Sequence, residues 1–258
     1  MPSSPDKRIN SLKKQYGLIG YPLSHSFSRK YFSEKFEREH IIDCEYTLFE
    51  INKIELVEEV FQKENLQGFN VTIPYKHEIM KYMDDFDHSA KKVGAVNVVK
   101  INSSGKRIGF NSDYYGFRAS LEKWLPNEKK FRALILGAGG AAKAVIEVLN
   151  DLSIPFLIIS RNKNKGDFTY LELKSDPEIL MSHELIINTT PLGMSPKIDE
   201  KPEIDYGLLT ADFYLYDLIY NPPTTKFMAE GQKWGAKTKN GMEMLELQAE
   251  KSWEIWNS

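Results

Sequence analysis

The chain has 258 residues, 41% hydrophobic and 27% charged, with a formal net charge of −2. That composition suits one large or two modest globular domains and offers no basic field for a nucleic-acid partner. Cys44 is the single cysteine and the histidines show no His-x-x-x-His spacing, which excludes an internal disulfide and argues against a metal hydrolase.

Residues 1–13 are polar and read as a frayed lead-in, and MPSSPDKRIN carries no apolar secretory segment. No run approaches the about 18 apolar residues of a membrane span, so a cytoplasmic protein without a membrane partner is expected. YGLIG (16–20) reads as a buried strand. SFSRKYFSEKFEREH (26–40) sets Phe27, Tyr31, Phe32 and Phe36 on one stripe, which predicts a helix. CEYTLFEI (44–51) alternates as a strand does. Ile54, Val57 and Phe61 predict a helix capped by Asn52, with Glu55 three residues on. GFNVTI (68–73) is the next strand; Pro74 stops it, having no N–H to donate, and Lys76 lies just past the stop. Residues 75–92 read as polar helix. AVNVVKI (95–101) and RIGFN (107–111), joined by SSGK, form a hairpin.

A helix from Asp113 to Leu125, closed by Pro126, opens a second alternation. FRALILG (131–137), PFLIIS (155–160), LIINTT (185–190) and YLYDLIY (214–220) read as strands. AAKAVIEVLND (141–151), TTKFMAEGQKWG (224–235) and GMEMLELQAEKSWEIW (241–256) read as helices. The pattern predicts an α/β fold in two domains with a boundary near 112.

LILGAGGAAKA (134–144) is the sharpest local signal. Gly137, Gly139 and Ala142 fit Gly-x-Gly-x-x-Ala between an apolar strand and a helix. The first glycine permits a tight turn, the second lets backbone approach a pyrophosphate, and the small third residue packs helix on strand. The helix N-terminus adds free N–H groups and partial positive charge. At the tip of the next strand an NAD site would carry a carboxylate. Here Ser160 and Arg161 stand there, with Lys163 and Lys165 beyond. A guanidinium grips a 2′-phosphate, so NADP is expected rather than NAD.

Taken together, the motifs resemble the shikimate dehydrogenase family from end to end. YGLIGYPLSHSFS (16–28), GFNVTIPYK (68–76), GAVNVV (94–99), GFNSDYYGF (109–117), GAGGAAKA, IINTTPLGM (186–194), DLIYNPPTT (217–225) and NGMEMLELQA (240–249) match its blocks in order. The resemblance implies an N-terminal α/β substrate domain (1–112), a Rossmann-type NADP domain (113–236) and a C-terminal helix (237–258) returning to the substrate domain. It implies reversible NADPH-dependent reduction of 3-dehydroshikimate to shikimate by a monomer or homodimer. Lys76 and Asp113 match the family's catalytic pair. Ser24 and Ser26 match the serines that hold the substrate carboxylate. Thr72, Asn97 and Gln248 match contacts to the ring hydroxyls, and Tyr220 lines the same cleft. Gly137, Ala138, Gly139, Gly140, Ala141, Ser160, Arg161, Asn162, Lys165, Thr189 and Gly241 match cofactor positions.

A cationic lysine within reach of a ketone supplies both the proton and the stabilising charge that hydride addition demands. Asp113 would orient Lys76 and favour its charged form; which of the two transfers the proton is open at this level. Two departures stand out. The stretch between Arg161 and Ile186 is short, with DFTYLEL (167–173) reading as extended where the family has a crossover helix, and Ser160 replaces a frequent asparagine. The rival readings are an NAD-preferring quinate/shikimate dehydrogenase, which an acidic residue at 160 or 161 would favour, and a catalytically idle nucleotide binder, which loss of Lys76 or Asp113 would favour.

Overall fold

Short apolar runs between glycine and proline stops become strands, and the striped segments between them become helices. The computed structural model describes residues 13–23 and 26–258. Most of the polar lead-in and the serine expected at position 24 lie outside the described residues. The fold is mixed α/β with two sheets, as expected, and divides into two compact units. One takes the described residues up to Ser112 together with Gln248–Ser258; the other is Asp113–Leu247.

The first unit runs β1 (Lys14–Gly20), α1 (Phe27–Arg38), β2 (Cys44–Glu50), α2 (Val57–Phe61), β3 (Gly68–Val71), β4 (Asp85–Phe86), α3 (His88–Val93), β5 (Val98–Ile101) and β6 (Arg107–Phe110). Its sheet has the order β2-β1-β3-β5-β6-β4. The β1 strand pairs in parallel with β2 and β3, and the β5–β6 hairpin joins β3 antiparallel. Strand geometry sends neighbouring residues to opposite faces. Accordingly Ile19 and Val99 enter one core with Val57, Phe69 and Ile79, while Leu18 and Val98 enter another with Phe32 and Tyr46. Trp256 of the C-terminal helix fills the second core and donates its indole Nε1–H to Val99 O at 3.0 Å. Gly68 makes room for that indole: a Cβ there would lie 2.6 Å from Nε1.

Two local expectations fail here. Asn52 does not cap a helix. Lys53 holds the extended position, no side chain caps the turn, and a 3-10 turn (Ile54–Leu56) precedes α2. Ile51 and Ile54 are both buried, and the chain must turn between them to bury both. Residues 75–92 are not one polar helix. Buried Tyr75 and Ile79 pin a turn and a 3-10 segment (Glu78–Tyr82), and Asp84 then accepts from Arg107 N–H at 2.7 Å and directs β4 along β6.

The second unit runs α4 (Ser112–Trp124), β7 (Ala133–Leu136), α5 (Gly140–Asp151), β8 (Phe156–Ile159), α6 (Tyr170–Ser175), α7 (Pro177–Met181), β9 (Leu185–Asn188), β10 (Tyr214–Asp217), α8 (Lys226–Lys233), β11 (Lys237–Lys239) and α9 (Met242–Asn257), whose last turns belong to the first unit. The sheet is parallel throughout, in the order β8-β7-β9-β10-β11. All four residues of β7 and of β9 are buried, as strands covered on both faces must be. The edge strand β11 was not anticipated; three residues, two of them lysines, give no apolar signal.

The crossover after β8 corrects a further expectation. DFTYLEL is not extended beyond Phe168, because Thr169 and Glu172 form a reciprocal capping box that starts α6. Gly166 to Phe168 instead line the open edge of β8. Asp167 Oδ2 accepts from Ile158 N–H at 2.8 Å, and Ser160 N–H donates to Phe168 O at 2.9 Å. A Cβ on Gly166 would lie 2.8 Å from Ile158 O, so this close approach needs glycine. The short crossover thus covers the sheet edge with its own backbone before turning into two short helices. Thr169→Ala should lower stability by about 1 kcal/mol, read as the urea midpoint at constant slope; an unchanged midpoint would show that packing of Leu173 alone holds α6.

Candidate active site

In the first unit Thr72, Lys76 and Asn97 lie where β1 and β3 stop and β5 begins. Thr72 N–H donates to Ile19 O at 2.9 Å and Val71 N–H donates to Asn97 O at 2.8 Å. The half-buried Lys76 accepts at its carbonyl from Val96 N–H at 2.8 Å. Asn97 is buried, and its Oδ1 accepts from Ser112 N–H at 2.6 Å. A ladder of side chains brings Gln248 to the same sheet end. Tyr46 Oη donates to Asn70 Oδ1 at 2.8 Å, Asn70 Nδ2 donates to Ser252 Oγ at 2.8 Å, and Ser252 Oγ donates to Gln248 O at 2.8 Å. Lys35, itself buried, clamps Glu250 two residues further on, at 2.8 and 3.0 Å. Ser26 is the N-cap of α1, accepting at Oγ from Arg29 N–H at 3.3 Å.

In the second unit the glycine turn has the form its sequence implied. Gly137 adopts φ +105°, and a Cβ there would lie 2.8 Å from Thr190 Cγ2 and 2.9 Å from Thr189 Oγ1. Thr189 braces the turn, its Oγ1 donating to Leu136 O at 2.9 Å and Gly137 O at 3.2 Å. Gly139 is the N-cap of α5, without a side-chain cap and with no acidic residue in the first turn. Around Gly139 and Gly140 a Cβ would meet nothing within 4 Å. Open space, N–H groups at Gly140 and Ala141 without a side-chain cap, and a first turn free of acidic residues together fit a pyrophosphate. The turn lies beside the β7/β9 junction, where the strand order reverses and open parallel sheets bind ligands. Asp113 stands in the first turn of α4; Tyr220 follows β10; the Gly241 N–H donates to Ile219 O at 3.0 Å.

At the tip of β8, Ser160 is buried and accepts at Oγ from Asn162 N–H at 3.2 Å. Asn162 in turn caps the 3-10 turn Lys163–Lys165. Among the described residues Arg161 and Lys165 are exposed and in no ion pair, whereas Lys163 is held by Glu172 at 2.6 Å. That ammonium, with the Thr169 backbone N–H, holds the Glu172 carboxyl down at about 2. The basic loop therefore presents Arg161 and Lys165 outward and turns Lys163 back onto α6.

The family model of the shikimate dehydrogenase substrate binding domain matches residues 18–99. The chain is 38% identical to the shikimate dehydrogenase (NADP(+)) of Methanococcus aeolicus, over 96% of this chain and 93% of the relative. The chain belongs to the shikimate dehydrogenase family. It is also 41% identical to the shikimate dehydrogenase (NADP(+)) of Clostridium beijerinckii, over 93% of this chain and 91% of that one. Among solved structures, the chorismate mutase/shikimate 5-dehydrogenase fusion protein from Clostridium acetobutylicum superposes with a TM-score of 0.83 at 39% identity, covering 95% of this chain and 91% of that one.

Membership of the shikimate dehydrogenase family accounts for the expected blocks, but two polar groups inside them, one half-buried and one buried, escaped the sequence reading. One is Asn70, between buried Phe69 and Val71. The other is Asp217, fully buried inside the apolar run YLYDLIY. A carboxylate in such a run is costly unless several donors meet it, and that cost was the available signal. Burial pushes the Asp217 carboxyl up to about 6. Between its unfolded value of about 4 and about 6 the folded chain keeps a proton that the unfolded chain has lost, so this group's contribution to stability falls as pH rises through that window. The difference in unfolding free energy between wild type and Asp217→Asn should shrink by roughly 3 kcal/mol from below pH 4 to pH 7. Urea titrations across that range measure it, and a difference independent of pH would show that Asp217 titrates normally.

Proposed function

We propose that this chain catalyses the reversible NADPH-dependent reduction of 3-dehydroshikimate to shikimate, a step of aromatic (chorismate) biosynthesis, in the cytoplasm and as a monomer or homodimer. The observation that carries the reading is the open, uncapped glycine turn at the β7/β9 junction in a chain that matches NADP(+)-dependent relatives end to end. Arg161 and Lys165, exposed at the strand tip and in no ion pair among the described residues, support NADP over NAD. Lys76 and Asp113 are the proposed catalytic pair. NADPH, when bound, supplies the hydride.

Lys76 delivers the proton to the ketone oxygen as negative charge develops there, and its ammonium stabilises that charge. Asp113 keeps Lys76 charged and oriented. Ser24 and Ser26 hold the substrate carboxylate; Ser26 uses a lone pair on Arg29 N–H and keeps its own O–H to donate. Asn97 commits Oδ1 to Ser112 N–H, which directs Nδ2 as a donor toward a ring hydroxyl. Thr72 and Gln248 complete the hydroxyl contacts and Tyr220 lines the ring. Backbone N–H groups from Gly137 to Ala141, braced by Thr189, take the pyrophosphate. Ser160 and Asn162 shape the basic loop, and Gly241 allows close backbone packing beside Leu218. Several polar contacts to one small acid also reject analogues lacking a hydroxyl, because a buried partner is then left unpaired.

The direct test incubates the purified chain with shikimate or quinate, each with NADP or NAD, and follows reduced nicotinamide absorbance. Fastest turnover is expected with shikimate and NADP, and turnover with quinate and NAD alone would reject the assignment. Lys76→Ala should lower kcat by about a thousandfold while NADPH affinity stays within about twofold; wild-type turnover would remove Lys76 from catalysis. Arg161→Ala should weaken NADPH by at least about tenfold and NADH far less. Equal losses for both would discard the phosphate contact.

A further inference from the structure

Two fully buried side chains at the carboxyl ends of β9 and β10 collect hydrogen bonds from three segments, and neither has a part in the proposed chemistry. Asp217 ends β10. Its Oδ1 accepts from Asn188 Nδ2 at 3.0 Å and from Ile219 N–H at 3.1 Å, and its Oδ2 accepts from Thr225 Oγ1 at 2.6 Å. Asn188 ends β9. Its Oδ1 accepts from Thr190 N–H at 3.0 Å and from Thr190 Oγ1 at 2.6 Å. Thr190 Oγ1 accepts in turn from Leu192 N–H at 3.3 Å. Between these two anchors sits Thr189, whose hydroxyl braces Leu136 O and Gly137 O.

The carboxylate therefore joins the loop after β9, the turn after β10 and the N-cap of α8. An apolar plug of the same shape would hold the strands together at a lower desolvation cost. Only an acceptor of this capacity can satisfy three donors from three segments and, through Asn188, set the path of residues 188–192. Those residues form one wall of the Gly137 turn, since Thr189 and Thr190 supply the atoms a Cβ there would strike. Burial raises the Asp217 pKa to about 6, so at neutral pH the carboxylate form these donors hold still predominates.

We infer that Asp217 is a positioning residue for the cofactor, holding Asn188 and through it Thr189 and Thr190 against the Gly137 turn before any ligand arrives. The inference rests on the NADPH-dependent reading. Its contribution is preorganisation: the loops need no ordering when the pyrophosphate docks.

The test measures NADPH dissociation constants by nucleotide fluorescence on the full chain at pH 7, alongside shikimate KM and kcat at saturating cofactor. Asp217→Asn keeps the shape but turns an amide N–H₂ toward a donor. It should weaken NADPH by about tenfold or more while shikimate KM stays within about twofold. Thr190→Val keeps the packing against Gly137 and removes the hydroxyl bond to Asn188; it should weaken NADPH by about threefold, again with shikimate KM unchanged. Thr225→Ser retains the donor to Asp217 and should bind NADPH as wild type does. NADPH affinity unchanged in Asp217→Asn, or equal losses for NADPH and shikimate, would overturn the role, the second marking general loosening. Should Asp217→Asn fail to fold, Thr190→Val decides by the same criteria. A wild-type chain that binds no NADPH would overturn the functional reading and this one together, whereas a binding wild type with equally binding variants overturns this one alone.

Discussion

A buried strand that stops must pass its remaining N–H and C=O groups to new partners, because leaving them unpaired away from water costs as much as losing a hydrogen bond. That constraint shapes one sheet end in each unit. In the first unit Asn97 uses its backbone for Val71 and Phe110 and its side chain for Ser112. In the second, Thr189 folds its hydroxyl back onto Leu136 and Gly137, and Asn188 takes the next N–H. Side chains of this kind do two jobs. They finish a strand, and they fix the direction in which the chain leaves it.

The two units meet the constraint differently because their sheets differ. The first is mixed, and its antiparallel hairpin can reverse tightly, so the sheet end is completed by a turn after Val71 and by a helix from elsewhere in the chain. The last turns of α9 are held by Trp256 in the core, by the Asn70–Ser252 bond and by the Lys35–Glu250 pair. The second is wholly parallel, so every strand needs a crossover and every loop of interest falls at one edge. Where the crossover is short, backbone from Gly166 to Phe168 covers β8, and the capping box at Thr169 starts helix at once. The basic loop before it stays outside this repair, apart from Lys163, which Glu172 holds.

Buried charge is used sparingly and at defined places. Lys35 is matched by two glutamates at the rim of the first unit, and Asp217 by three neutral donors inside the second. The first pair fastens helix to helix. The second fastens the end of β9, the turn after β10 and the start of α8 to one another. Stability lost to desolvation at Asp217 is the kind of cost that a site needing rigid loops sustains.

The amino-acid order by itself determined the longer strands and helices, the α/β class, the hairpin at SSGK, the glycine turn with its basic strand tip, and the family, because each is encoded by local pattern or by blocks of residues in sequence. Position on a shared sheet end was not legible. Nothing in GFNVT announces that Asn70 reaches Ser252, nor in YLYDLIY that Asp217 meets Asn188 and Thr225, since those partners lie 182, 29 and 8 residues away and are chosen by packing. The same holds for Asn52, where burial of Ile54 overrode the local reading; in DFTYLEL the decisive feature, the Thr169–Glu172 capping box, was itself local. Tertiary structure decided which polar groups would be buried, and so which must be satisfied, because only the folded chain removes water from them.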